Sequence, residues 1–430
     1  MRKNIANLIW TISLALIISG CRRHADKNAV NNLKQLLAKK DYFRLAGKLK
    51  EYDDKLDDQQ KLYFGAYVDN AFNRNGDCVK DVDNLFKMYA QQLSDSSKRD
   101  LLLLQSDSYF KLYQYAKAVQ NDSLALKNYA KVLSKEEVAD IQNDILIRNA
   151  LKNTAPQETI IKSNTTLQWT RDKIGLVEIP VKVNNAVFSG IFDTRANIST
   201  VTQTYAKKMG LRILDVSYNE GSGATGIQFK TGMGIADSLY LGDILVKNVV
   251  FQVMPDSILY IAPIKYQLNM IVGFPVIEQL REVHIFKDGR MAIPATPSQS
   301  SLHNFALDGL DPVIALKVGN DTLPFHFDSG AGTSMLYQAY FDKYKADVLK
   351  HGVKKIVGFG GAGGVQKKEV YILPKLKMTI GDKTVTIDSV SVLQKKITPV
   401  EVFFGNIGQD LTNQFNEVIY NFKYMYVECR

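Results

Sequence analysis

Cysteine is scarce in this 430-residue sequence: only Cys21, Cys78 and Cys429. A disulfide framework of the kind that staples small secreted domains is therefore excluded. One bridge between Cys78 and Cys429 stays open beside two free or buried thiols. Histidine is equally thin. His24, His284, His303, His326 and His351 are dispersed, with no HExxH or other ligand spacing, so no metal centre is expected. No G-x-S-x-G elbow occurs, which removes serine hydrolases built on that turn. The formal charge is +10, but the basic residues are scattered and form no stripe with interleaved aromatics. No nucleic-acid partner is expected.

What is present is an ordinary globular balance, 46% hydrophobic and 23% charged, over a length sufficient for two or three domains. The first 21 residues are the exception. "MRKNIANLIWTISLALIISGC" carries Arg2 and Lys3, then an apolar stretch centred on "ISLALII", then Ser19-Gly20-Cys21. It is too short and too polar in its first half for a membrane span, and it has the build of a secretory signal over residues 1–20. Ile18-Ser19-Gly20-Cys21 resembles the lipobox of bacterial lipoproteins. That resemblance implies cleavage before Cys21, lipidation of its sulfur and membrane attachment through two acyl chains. Removing Arg2 and Lys3 takes the net charge from +10 to +8. Arg22 and Arg23 supply no inner-membrane retention aspartate, which points to the outer membrane with the soluble part in the periplasm.

From about residue 27 the apolar residues recur at helical intervals, as in "VNNLKQLLAKK" and "VDNLFKMYAQQL", with Asp, Asn, Gly and Ser breaks between. The helical region is expected over 21–160. Its short helices resemble tetratricopeptide-type hairpins, though no strict repeat can be laid over them. A scaffold for a protein partner and a plain spacer both stay open.

"KNTAPQETIIKSNTT" ends the helical period, and the sequence beyond alternates with many β-branched residues. A second polar seam, "ATPSQSSLHNFALDG", separates two halves that repeat at an offset of 135 residues. "IPVKVNN" lies over "IALKVGN", "FDTRANIST" over "FDSGAGTSM", and "VGFPVIEQLREV" over "IGQDLTNQFNEV". Each aspartate, Asp193 and Asp328, precedes the glycine of its closing motif, Gly273 or Gly408, by 80 residues. Shared spacing over so many residues marks a duplicated β domain, with lobes expected at 168–297 and 305–430.

The two halves resemble retropepsin-like aspartic peptidase domains, of the kind found in bacterial lipoproteins. The resemblance covers about residues 168–430 and implies an α+β chain: helical hairpins, then a mostly-β bilobed acid-protease fold. It assigns catalysis to Asp193 and Asp328, and support of the loops to Thr194, Ser329, Gly330, Ser199 and Ser334. Gly-rich hairpins over the cleft fall at Gly223 and Gly226 and at Gly358 and Gly360. The chemistry needs both halves. Two aspartates held close cannot both ionise, so they share a proton: one activates water and the other polarises the scissile carbonyl. The substrate would be a peptide or protein, with no cofactor. "GFGGAG" fits a dinucleotide fingerprint by letter, but an extended stretch follows it where a helix is required.

Arg195 departs from this pattern, standing where the second half has Gly330. A guanidinium aimed into the cleft would favour two ionised carboxylates and disable the acid half of the mechanism. Turned away, it would leave the dyad intact and could select an acidic substrate side chain. An endopeptidase and a catalytically weak peptide-binding lipoprotein are the two functional expectations. A purely structural component of an envelope assembly is a third.

Overall fold

The computed structural model describes residues 25–184, 186–220, 229–361, 364–398 and 401–430. Cys21, Gly223 and Gly226 lie outside the described residues, as does the rest of residues 1–24.

Among the described residues seven α-helices come first: α1 (Lys27–Ala38), α2 (Tyr42–Glu51), α3 (Asp58–Ala71), α4 (Asn75–Tyr89), α5 (Asp95–Lys111), α6 (Tyr115–Tyr129) and α7 (Lys135–Leu151). Their starts are written in short polar residues. The Asp26, Asp41, Asp57 and Ser94 side chains accept backbone N–H groups of the first turn, and Ser134 forms a reciprocal box with Glu137. Each such cap satisfies a donor that the helix cannot, worth ~1 kcal/mol. Consecutive helices pack on one another through Leu33, Leu45, Phe64, Val82 and Leu101, all essentially inaccessible to solvent.

Beyond α7 the chain is mostly β and forms two lobes. In the first, the strand Ala186–Phe192 runs parallel to the closing strand Met270–Val272, which is also antiparallel to Ser199–Thr202. In the second, Asp321–Phe327 runs parallel to Gly405–Ile407, itself antiparallel to Met335–Leu336. A third sheet joins them. Glu282–Phe286 pairs antiparallel with Glu417–Asn421, Val283 facing Tyr420 and Ile285 facing Val418. Both lobes thereby share one core, in which Phe192, Phe327, Tyr420 and Phe422 pack ring on ring.

The helices do not stand apart from the lobes. Ala29, Leu33, Tyr42, Leu45 and Phe64 share a buried cluster with Ala306, Val313, Tyr337, Val370 and Phe403 of the second lobe. Tyr115 and Leu151 share another with Tyr218, Met233 and Ile235 of the first. Polar ties add direction: Lys40 and Tyr42 reach Asp308 at 2.6 and 2.7 Å, and Asn73 donates to Glu278 at 2.7 Å. The helical arm therefore braces both lobes.

Two boundaries differ from expectation. The helical stretch ends at Leu151, because Glu158–Ile160 is already a strand on Ile244–Met254 of the first lobe. Thr165–Gln168 likewise belongs to the third sheet, pairing with Arg290–Ile293. Pro156 and the β-branched run after it favour extended backbone over helix. Cys78 and Cys429 are both buried and unpaired, in α4 and in the last strand.

Because α1 to α3 share a core with the second lobe, Leu33→Ala should cost ~2–5 kcal/mol. Urea unfolding followed by circular dichroism and by tryptophan fluorescence should show one shared, lowered midpoint. An early helical transition that leaves the β signal unmoved would contradict the shared core.

Candidate active site

Each parallel strand pair ends by projecting an aspartate. The Asp193 N–H donates to the Val272 carbonyl at 3.1 Å, and the Asp328 N–H to the Ile407 carbonyl at 2.9 Å. Each carboxylate then caps its own loop, Asp193 Oδ1 accepting from Arg195 N at 2.8 Å and Asp328 Oδ1 from Gly330 N at 2.9 Å. Beneath the loops, Ser199 Oγ accepts from Gly273 N and Ser334 Oγ from Gly408 N, both at 3.0 Å. A Cβ on either glycine would lie 2.6 Å from the carbonyl oxygen of Ala196 or Ala331, so the closing strand can pass only as glycine.

The loops are locked to one another. Thr194 N donates to Ser329 Oγ at 2.9 Å and Ser329 N to Thr194 Oγ1 at 3.1 Å. Each hydroxyl passes its own proton across, Thr194 to the Phe327 carbonyl at 3.1 Å and Ser329 to the Phe192 carbonyl at 2.8 Å. Four hydrogen bonds, all buried, fix the two aspartates beside one another. Burial pushes the Asp193 carboxyl up to about 7, and the charge of Asp328 adds to the rise.

Gly330 is held for a second reason. A Cβ there would fall inside the Asp193 carboxyl group, which rests directly on its Cα. The first loop carries Arg195 at the matching position, and its side chain meets a different set of partners. Its Nε lies 3.4 Å from Asp311 Oδ1, its Nη1 donates to Asn406 Oδ1 at 3.3 Å, and Nη1 is 4.0 Å from Asp328 Oδ2. Asn406 in turn donates to Asp328 Oδ2 at 2.9 Å. The guanidinium thus points into the cleft, but Asp311 is its nearer counter-ion. Burial opposes its charge, yet Asp311, Tyr337 and Asp328 together hold the Arg195 pKa above the ordinary arginine value. At Asp193, burial and the Asp328 charge outweigh the arginine, so that carboxyl is held up rather than down.

The structure brings together Asp193, Thr194, Asp328, Ser329 and Gly330, with Ser199 and Ser334 below them. Gly358 and Gly360 lie in the strand Val353–Gly361 of a long hairpin with Gly364–Ile380, and Val357 and Phe359 of that strand share a cluster with Tyr337. Sequence reasoning missed Asp311, Asn406 and Tyr337. A signal existed: these positions lie over Leu176, Ile271 and Thr202 of the first half, so polar or bulky residues replace smaller or apolar ones. All three gather around Arg195.

Ser329→Ala removes a donor and an acceptor and strands the Thr194 N–H and the Phe192 carbonyl. Each stranded group should cost about 1–3 kcal/mol, read as a lowered urea midpoint. An unchanged midpoint would mean the lock does not join the lobes.

Comparison with known proteins agrees with this geometry. A family model described as aspartyl protease matches residues 179–276, the stretch that contains Asp193 and its closing Gly273. A search of curated proteins finds no match. Residues 179–276 of the first lobe are thus similar to an aspartyl protease domain, and the chain as a whole is an α+β protein with a two-lobed protease fold.

Proposed function

We propose that this protein is an aspartic endopeptidase in which Asp193 and Asp328 act as one dyad on a peptide substrate. The observation that carries the reading is the reciprocal lock of Thr194 and Ser329, which sets the two carboxyl groups side by side on separate lobes. The two halves read as copies of one ancestral domain, since the same bonds recur 135 residues apart. The lipobox-like Ile18–Cys21 supports a lipid-anchored envelope protein, with the lobes on the periplasmic side of the outer membrane.

The roles divide by environment. Asp328 accepts hydrogen bonds on both oxygens, from Gly330 N and Asn406 Nδ2, and has Arg195 at 4.0 Å. In the proposed mechanism it is the base of the pair, its oxygens held in place by those donors. Asp193, buried and raised to about 7, keeps the shared proton. Asp328 takes a proton from the attacking water while Asp193 protonates the scissile carbonyl oxygen. The resulting tetrahedral diol collapses as the proton on Asp328 passes to the leaving amine and Asp193 recovers its own.

A second reading has its own observation. The Arg195 guanidinium occupies cleft space that glycine would leave empty and is only 27% exposed. A cleft narrowed in this way favours a lipoprotein that binds peptides with weak or no turnover.

A digest of a broad peptide mixture by the wild-type chain separates the two. Products read by mass spectrometry should vanish with Asp328→Asn, and an empty spectrum from folded wild type would select the binding reading. Turnover should fall about tenfold per pH unit above about 7, as Asp193 loses its proton and the pair its acid. Arg195→Met keeps the bulk and removes a charge that favours ionised Asp193, so this alkaline limb should move to higher pH. A limb that stays in place would remove Arg195 from the electrostatics of the dyad.

A further inference from the structure

The third sheet relates the two lobes by a local two-fold. Val283 faces Tyr420 and Ile285 faces Val418, and the 135-residue offset that matches the halves exchanges these two pairs. Positions on either side of the sheet can therefore be compared as twins. On one side Phe274 meets the edge of Phe422 with ring centroids 5.7 Å apart. At the same offset their twins are Gln409 and Lys287. The ring pair has no counterpart there, and Gln409 and Lys287 instead line a cavity of about 410 Å³. Its wall includes the buried rings of Trp169, Phe415 and Tyr420. Its polar side is cationic. Arg171 and Lys287 line the cavity and no acidic side chain does, and neither cation has an ion pair among the described residues. Asp288, next to Lys287, is taken by Arg290 at 2.8 Å. Arg171 lies 5.2 Å from the centre of the Trp169 ring and donates to neutral acceptors, the Gly175 carbonyl, Gln409 Oε1 and Asn413 Oδ1. Its charge is held in place and left uncompensated.

We propose that this cavity binds a carboxylate that carries an aryl ring, supplied by a free aromatic acid or by the C-terminus of a peptide ending in an aromatic residue. The twin side shows what fills such a space, a phenyl ring packed against other rings. The cationic side supplies the charge partner, a planar guanidinium suited to a carboxylate with an ammonium group beside it. The volume lies within the range of sites that enclose small ligands, about 300–1,000 Å³. The occupant would touch both lobes, since Trp169, Arg171 and Lys287 come from the first and Gln409 and Phe415 from the second. Gln409 also donates to the Ser329 carbonyl at 2.7 Å, so the site borders the lock between the loops. Neither aspartate of the dyad lines it.

Trp169 lines the cavity, and Trp10→Phe leaves it the only tryptophan of the full chain. Titration of that chain with 3-phenylpropionate should change the Trp169 emission saturably. The neutral amide of the same acid, and propionate, which lacks the ring, should leave it unchanged. Lys287→Gln should weaken binding roughly tenfold. Lys287→Phe supplies the missing ring and should abolish binding, with circular dichroism unchanged in both. A tripeptide ending in phenylalanine is titrated beside the small acid into the Asp328→Asn chain, where the dyad is disabled. Tighter binding of either one supports the site and assigns the source. Silence towards both acids would overturn the proposal, as would equal binding of the amide or of propionate. So would binding that survives Lys287→Phe, or binding lost in Asp328→Asn, which would place the ligand in the cleft. No turnover enters this test, so its failure would leave the peptidase reading standing.

Discussion

Two hydroxyl groups decide whether this molecule has a site at all. Thr194 and Ser329 each accept the other's backbone N–H and donate to the strand behind the other's aspartate. Inside a protein such a network is strong when every member is satisfied and costly when one is missing. Here every donor and acceptor is used, so the two loops can meet in one register only. The third sheet, where Glu282–Phe286 pairs with Glu417–Asn421, holds the lobes behind the lock, and the helical arm holds them from outside. The arm's packing also changes its meaning. Part of its apolar surface packs on the lobes, so the arm and the lobes form one body.

The symmetry of the lock makes the asymmetry around it informative. Gly330 lets the Asp193 carboxyl rest on its Cα, whereas Arg195 has a side chain in the corresponding place. The second lobe answers with Asp311 as counter-ion and Asn406 as a bridge between the guanidinium and Asp328. Tyr337 adds its phenol to the same group, and burial pushes that phenol up to about 12. Beyond Asp311, Asp308 is held by Lys40 and Tyr42 of the arm. A chain of charges therefore runs from the dyad to the first helices, which a symmetric pair of domains would not need.

The fold was legible because its determinants are local or repeated. The helices announce themselves by spacing and by Asp and Ser caps. The lobes do so by the 135-residue offset and by glycines that nothing else can replace at 273 and 408. Asp193, Asp328 and the hydroxyls that the structure brings together came out of the same comparison. The partners of Arg195 did not, because Asp311, Tyr337 and Asn406 meet it only in three dimensions, from segments far from it in the chain. The extent of the helical region was overdrawn for a related reason. Glu158–Ile160 is a strand because the edge of Ile244–Met254 is there to pair with it, a tertiary fact that local propensity does not carry.

The proposed mechanism requires one proton shared between two carboxylates on different lobes. Calorimetric titration with a statine-type transition-state mimic tests it most directly, run in buffers of different ionisation enthalpy on wild type and on Asp328→Asn. One bound mimic per chain is expected, with proton uptake that rises as the pH passes through about 7 and loss of binding in the variant. Tight binding that is indifferent to Asp328, or no binding by a folded wild type, would contradict it.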